Sequence, residues 1–374
     1  MSALLTKKIE DKSIVWFQNS NSYLVVENLV AEILKKLNQQ VDFSEIFIWL
    51  KTQIDAPEEF IKDFLLNTNI LFLQNNRKRK KTRSTLHHLK NSNKYFSQKY
   101  YCVYDYIFLI QFENEYLESL IHPSFSHLEV HKLPMFNFNY QVFEKDDAIV
   151  FQKNKTIIGN WNKNEFYVFQ GKLSMQLLID IYKKSEQHWM GVFHASAVSN
   201  GKESILFLGD SGNGKSTSLA LLNANEFDCI ADDFVPIDNN KNIYTYPAAI
   251  SIKKNSTKTL LPYYPELKNS TEYHFKNSNK TVYFLPPKKI DYNQKLTCKA
   301  FVFIKYNPEI ELEINSLSKT NAFQQLIPDA WISPISKNVT VFLDWFLEIP
   351  CYQLTYSNTN KMIETVSKIF SDEL

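Results

Sequence analysis

The chain has 374 residues, 44% of them hydrophobic and 22% charged, with a formal net charge of +2. That is long enough for two globular domains, or one large domain with a small appendage, and the composition suggests neither a disordered nor a fibrous class. So small a net charge also argues against nucleic acid as the main partner, because binding a phosphate backbone normally takes a strongly basic domain.

The four cysteines, Cys102, Cys229, Cys298 and Cys351, form no CxxC pair, so neither a disulfide framework nor a zinc site is expected. The first residues, Met1-Ser-Ala-Leu-Leu-Thr-Lys-Lys8, hold too short an apolar run for a signal peptide, and no stretch of about 18 apolar residues occurs. A cytoplasmic protein with no membrane partner is the expectation. Glycine is scarce: there are seven, and Gly209, Gly212 and Gly214 lie close together. Asparagine tolerates positive φ and is expected to supply left-handed positions elsewhere.

In chain order, residues 1–75 read as a small unit. Ile14 to Phe17 is a predicted strand, and Ser22 to Val26 leads into a helical pattern through Val30, Ile33, Leu34 and Leu37. Asp42 with Glu45 signals the start of a second helix, and Asp55 with Glu58, plus Pro57, the start of a third. Residues 76–99 form a basic and polar linker, including Arg77-Lys-Arg-Lys-Lys-Thr-Arg83. Such a charge block is usually a solvated connector, although an anionic partner stays open. From Tyr100 to about Lys172 the apolar residues alternate or cluster in short runs, among them Tyr140 to Phe143, Ala148 to Phe151 and Phe166 to Phe169, which read as strands. A helix follows with Leu173, Leu177, Leu178 and Ile181 on its apolar face.

Next comes an apolar strand, Glu203 to Leu208, then Gly209-Asp210-Ser211-Gly212-Asn213-Gly214-Lys215-Ser216-Thr217, then a helix beginning near Ser218. The loop matches G-x-x-x-x-G-K-[ST] in the strand–loop–helix context that motif needs. Its glycines let successive N–H groups curl around phosphate oxygens, the helix N-terminus adds a positive dipole end, and Lys215 neutralises the β- and γ-phosphates. Ser216 would ligate magnesium. ATP with Mg²⁺ is the expected cofactor pair.

Downstream, a short apolar strand ends in Asp232 and Asp233. Behind a phosphate loop, one carboxylate can hold the metal while its neighbour takes a proton from an attacking hydroxyl. Upstream, His194 falls in an apolar strand, where a lone histidine is more often packed or capped. Lys253 ends another apolar run and reads alone as a surface cation.

Together the His194-Ala-Ser-Ala-Val198 strand, the Gly209 to Thr217 loop, the Ala231-Asp-Asp-Phe-Val235 turn and the Pro247-x-x-Ile-Ser-Ile-Lys253 stretch resemble the HPr kinase/phosphorylase-related kinases. These share a fold with ATP-type phosphoenolpyruvate carboxykinase. The resemblance runs from about Tyr100 to the C-terminus and implies an α/β (α+β) P-loop kinase core over residues 100–374, with a β-rich region ahead of it. It implies ATP-dependent serine kinase activity, with His194, Lys215, Ser216, Asp232 and Asp233 on functional positions, Asp232 at the metal and Asp233 as proton acceptor. Lys253 is a further nucleotide-binding candidate. The chain departs from the bifunctional enzymes in having no glycine after Gly214, so HPr is not the expected acceptor. It is closer to divergent HPr kinase-like proteins found beside ribosomal-peptide modification systems.

Residues 1–75, a strand region and three helices, resemble a PqqD-like, winged-helix-like peptide-recognition domain, which holds a leader peptide as an added strand. A stabilising appendage is the alternative. The expected partners are a nucleotide and a peptide or small-protein substrate, and a homo-oligomer stays open. Two other functions also stay open: a catalytically inactive nucleotide-binding regulatory or assembly protein, and a small-molecule kinase.

Overall fold

The computed structural model describes residues 3–78, 94–275 and 280–374. Most of the expected linker, residues 79–93, lies outside them. The fold is mixed α and β, with several sheets and ten α-helices among the described residues. No helix among them is long and apolar enough to cross a membrane.

The chain divides into two compact units. The first combines Met1–Thr82 with Ser316–Cys351. Its antiparallel sheet runs Leu4–Ile9, Lys12–Phe17, Ser22–Glu27, followed by helices Asn28–Asn38, Phe43–Gln53 and Glu58–Asn75. Only the middle strand was legible as a strand. Ile14, Val15, Trp16 and Phe17 are all buried, whereas the two outer strands are largely half-exposed and carry a weak pattern. Asp42 caps the second helix, accepting the Ser44 N–H at 2.8 Å. The third helix begins at Glu58 with Pro57 as its cap residue.

The sequence pattern left 316–351 with the residues around it. In the structure, helices Lys319–Leu326 and Ser336–Glu348 turn Phe323 and Phe342 against Tyr23, with ring centroids 5.9 and 6.1 Å apart. Pairing across such a sequence distance leaves no local signature.

The second unit combines Arg83–Asn315 with Tyr352–Leu374. Its central sheet has the order Asp228–Asp232, Ser196–Ser199, Glu203–Leu208, Thr297–Tyr306, Cys351–Tyr356, Leu312–Ser316. Ser196–Ser199 is antiparallel to both of its neighbours, so Glu203–Leu208 and Asp228–Asp232 run the same way and end at the same edge. Helix Lys215–Ala224 connects them. Its Leu219, Leu221 and Leu222 are fully buried in one cluster with Ile205, Phe207, Ile250, Val302 and Leu354. Each such side chain contributes about 1.5–3 kcal/mol, which fixes the helix on the sheet and with it the loop that precedes it.

A second six-stranded sheet runs Glu129–Val130, Ser97–Val103, Tyr106–Phe112, Phe138–Lys145, Ala148–Lys153, Thr156–Asn162. Phe166 to Phe169, expected as a strand, is instead the first turn of helix Phe166–Tyr182. A four-residue apolar run does not by itself distinguish a strand from a helix, and here only Phe169 is buried, continuing the helical pattern into Leu173 and Leu177, while Tyr167 and Val168 are exposed.

Candidate functional site

The strand Glu203–Leu208 delivers the chain to Gly209, and Gly214 caps the following helix at φ 99°. Gly209 stands at φ 129°, and a Cβ there would lie 3.0 Å from the Ile304 carbonyl, so conformation and space both require glycine. The loop is held by one bond within it and one from a neighbouring strand. Asn213 N–H donates to the Asp210 carbonyl at 3.1 Å, and Tyr306 N–H donates to the Asn213 carbonyl at 3.0 Å. Lys215 is buried, and its ammonium bonds the carbonyls of Gly209 and Asp210. Ser218, on the next turn, exchanges a hydrogen bond with the Tyr356 hydroxyl at 2.8 Å.

This loop forms one wall of an open cavity of about 380 Å³, lined also by Gln170, His194, Asp233, Ser251, Lys253, Ser256 and Val282. Gly212, Gly214, Ser211, Lys215, Ser216 and Thr217 face it. Lys253 ends the strand Ile250–Lys253 and donates to Ser211 Oγ at 2.9 Å, so the sequence-expected surface cation is held against the loop. Thr217 donates to Ser256 Oγ at 2.9 Å.

Asp232 closes its strand fully buried. Its Oδ1 accepts from Ser216 Oγ at 3.0 Å and from Ser196 Oγ at 2.5 Å, while its Oδ2 accepts the Ser251 N–H at 2.9 Å. Burial, and then the neighbouring charge of Asp233, push its carboxyl up to about 7 against the pull of those three hydrogen bonds. Asp233 is in the left-handed region at φ 61°, which aspartate tolerates better than most residues. That conformation breaks the alternation of an extended strand, so Asp233 reaches the cavity while Asp232, one residue before it, stays buried against Ser216. Asp233 lines the cavity, accepts from Ser251 Oγ at 3.3 Å, and lies 3.6 Å from His194 Nδ1.

His194 is not inside a strand as expected but in the bend between Trp189–Phe193 and Ser196–Ser199. Its side chain and that of Asp233 are 43% and 47% exposed, so neither is a packed core group. The antiparallel ribbon Trp189–Phe193 with Val235–Asp238 brings them together: Phe193 pairs with Val235, and the next residues outward are His194 and Phe234. At its other end, Lys184 Nζ lies 2.6 Å from Asp238 Oδ2, and the Tyr244 hydroxyl donates to the same oxygen at 2.8 Å.

The sequence motifs contained Ser196 and Ser251 without singling them out. Ser196 is register partner to Asp232, and Ser251 shares a strand face with Lys253 by alternation. Gln170 and Ser256 gave no sequence signal. Among the described residues no group of three or more His, Cys, Asp or Glu side chains could hold a metal. The oxygen donors that do converge, Ser216 Oγ and the Asp232 carboxylate, suit a hard cation that keeps most of its other ligands from water or phosphate. No protein-family model matches the sequence, and no curated protein matches it either.

Proposed function

We propose that this chain is an ATP-dependent kinase, with a P-loop core of the HPr kinase type, that transfers the γ-phosphoryl group to a serine hydroxyl of a peptide or small protein. One observation carries the reading. The glycine-rich loop with Lys215, the strand-end cation Lys253, and Asp233 with His194 come from segments separated in sequence, yet they meet at one cavity, and Asp232 touches its wall from behind through Ser216.

The loop N–H groups and the two lysines hold the triphosphate. Ser216 and Asp232 hold Mg²⁺, which when bound neutralises charge on the phosphates. Asp233 accepts the proton of the attacking hydroxyl as its oxygen bonds to Pγ and the bridging bond to ADP breaks. His194, beside Asp233 Oδ1, orients that carboxylate. Proton transfer of this kind contributes about 10²–10⁴-fold. The first three strands leave sheet edges at which a peptide could be added as a further strand, which supports residues 1–75 as a PqqD-like substrate reader.

Incubation with γ-labelled ATP, Mg²⁺ and serine peptides encoded by neighbouring genes tests the reading. Labelled phosphoserine on one of them is the expected result. Tight nucleotide binding without transfer to any hydroxyl would instead favour a regulatory nucleotide-binding protein.

A further inference from the structure

Five hydroxyl side chains line the cavity: Ser211, Ser216, Thr217, Ser251 and Ser256. Ser216 donates to Asp232, Ser211 accepts from Lys253, and Thr217 donates to Ser256. Of the five, Ser251 is the one whose hydroxyl donates to Asp233, at 3.3 Å. That is the bond an acceptor hydroxyl must make to its general base. The distance is slightly longer than the roughly 2.6–3.2 Å of a working pair, a common feature of sites without substrate.

Two further features hold Ser251 in that place. Its backbone N–H donates to Asp232 Oδ2 at 2.9 Å, so the residue is tied to the first carboxylate while its side chain addresses the second. It also shares one face of the strand Ile250–Lys253 with Lys253, whose ammonium reaches Ser211 of the loop. A serine hydroxyl is therefore positioned between the acids and the lysine side of the cavity, where an incoming substrate serine would have to sit.

We infer that Ser251 is a self-phosphorylation site, occupied by its own hydroxyl until a substrate serine displaces it; this rests on the kinase reading given above. With magnesium-ATP bound, Ser251 Oγ attacks Pγ. An Oγ–P bond forms, the bridging Pγ–O bond breaks, its electron pair leaves with ADP, and the hydroxyl proton passes to Asp233. ATP is the sole co-reactant. The product adds about −1.5 to −2 charge beside two carboxylates, so like-charge repulsion makes the modified chain a poorer nucleotide binder.

The test uses the full chain with γ-labelled ATP and Mg²⁺ in the absence of any acceptor, followed by phosphopeptide mapping by mass spectrometry. The expected result is up to one phosphate per chain, on Ser251, at a rate per chain that does not change on tenfold dilution. Asp233→Asn should slow labelling by at least about 10²-fold. Ser251→Ala should abolish it, and Ser251→Thr should restore it as phosphothreonine at the same position, with circular dichroism confirming that each variant is folded. Label on another residue, or no label while an added serine peptide is phosphorylated, overturns the self-phosphorylation but leaves the kinase reading intact. Absence of magnesium-ATP binding by calorimetry overturns both.

Discussion

Ser216 donates its hydroxyl to Asp232 Oδ1 across 3.0 Å, joining residues sixteen positions apart in the chain. The bond spans the helix Lys215–Ala224: one residue stands in its first turn, the other at the end of the strand that follows. It shows how the central sheet builds the site. Two strands that run in the same direction with one between them bring a loop and a carboxylate to the same edge, and the buried helix sets the spacing. Asp232 is thereby enclosed, whereas Asp233, turned by its positive φ, stays on the cavity wall.

Lys215→Ala should weaken ATP binding by roughly ten- to a hundredfold, because hydrogen bonds to a charged group are worth about 1.5–3 kcal/mol each. Lys215 now bonds the loop's own carbonyls, so the ammonium is already in the loop and needs little reorganisation to meet a phosphate. Titration calorimetry with magnesium-ATP checks this. Unchanged affinity would remove the nucleotide-binding basis of the proposed function.

The loop was legible because its chemistry needs consecutive residues: glycine where φ is positive, then lysine and serine at a helix start. The pairing of His194 with Asp233 was not, since it depends on the register of the Trp189–Phe193 ribbon with Val235–Asp238. Nor was the double role of Ser251, whose backbone and side chain bind different carboxylates. The expectation that asparagine would replace glycine at left-handed positions holds only at Asn21 and Asn154 among the described residues. Glu10, Tyr104, Lys155, Lys183 and Asp233 are among the others with positive φ. At Glu10, Tyr104 and Lys155 the turn joins two paired strands, whose pairing overrides the preference of the residue itself, while Lys183 is the left-handed cap of helix Phe166–Tyr182. Ser316–Cys351 gave no hint of grouping with the first residues, because the aromatic contacts of Phe323 and Phe342 with Tyr23 are legible only once both segments are folded.

The far end of the ribbon predicts an acid sensitivity. Burial pushes the Asp238 carboxyl up, but Lys184, the Asn242 N–H and the Tyr244 hydroxyl outweigh it and hold the group below the usual carboxylate range. A lowered value in the folded state means stability that is present above pH about 4 and lost as the pH falls through the folded value. Asp238→Ala should destabilise the chain by about 1–3 kcal/mol at pH 7, since it leaves the Asn242 N–H and the Tyr244 hydroxyl without their acceptor. The gap between wild type and variant should narrow on acidification below about pH 4. Thermal melts at pH 7 and pH 3.5 measure it; an unchanged gap would show that the pair contributes nothing through its charge.

Deleting residues 1–75 to test them as a peptide reader should fail for a physical reason. The deletion removes Tyr23 from Phe323 and Phe342, exposing aromatic surface on helices that remain. The truncated chain should aggregate in size-exclusion chromatography. A better probe is a proline in the outer strand Ser22–Glu27 at a residue whose N–H points away from Lys12–Phe17, since proline there removes a donor from the open edge and blocks addition of a strand without breaking the existing pairing. Were that strand the reading edge, KM for a full-length precursor peptide would rise while ATP hydrolysis stayed near wild type.

Asp232 and Asp233 should not be interchangeable, because the structure gives them different surroundings. Asp232 is buried among three donors and touches Ser216, so Asp232→Asn should weaken magnesium and depress both nucleotide affinity and transfer. Asp233 is half-exposed on the cavity wall beside His194 and Ser251. Asp233→Asn keeps its shape but not its basicity, and should lose transfer by about 10²–10⁴-fold while magnesium-ATP affinity stays close to normal. His194→Gln, which removes the group beside Asp233 Oδ1, should cost less than Asp233→Asn and leave affinity untouched. Metal-nucleotide titrations and single-turnover transfer on the three variants, with circular dichroism for folding, separate these effects. Wild-type transfer by Asp233→Asn would end its assignment as proton acceptor. If neither aspartate mattered, the pair would be a hydrogen-bonded strand end, and the kinase reading would lose its catalytic centre.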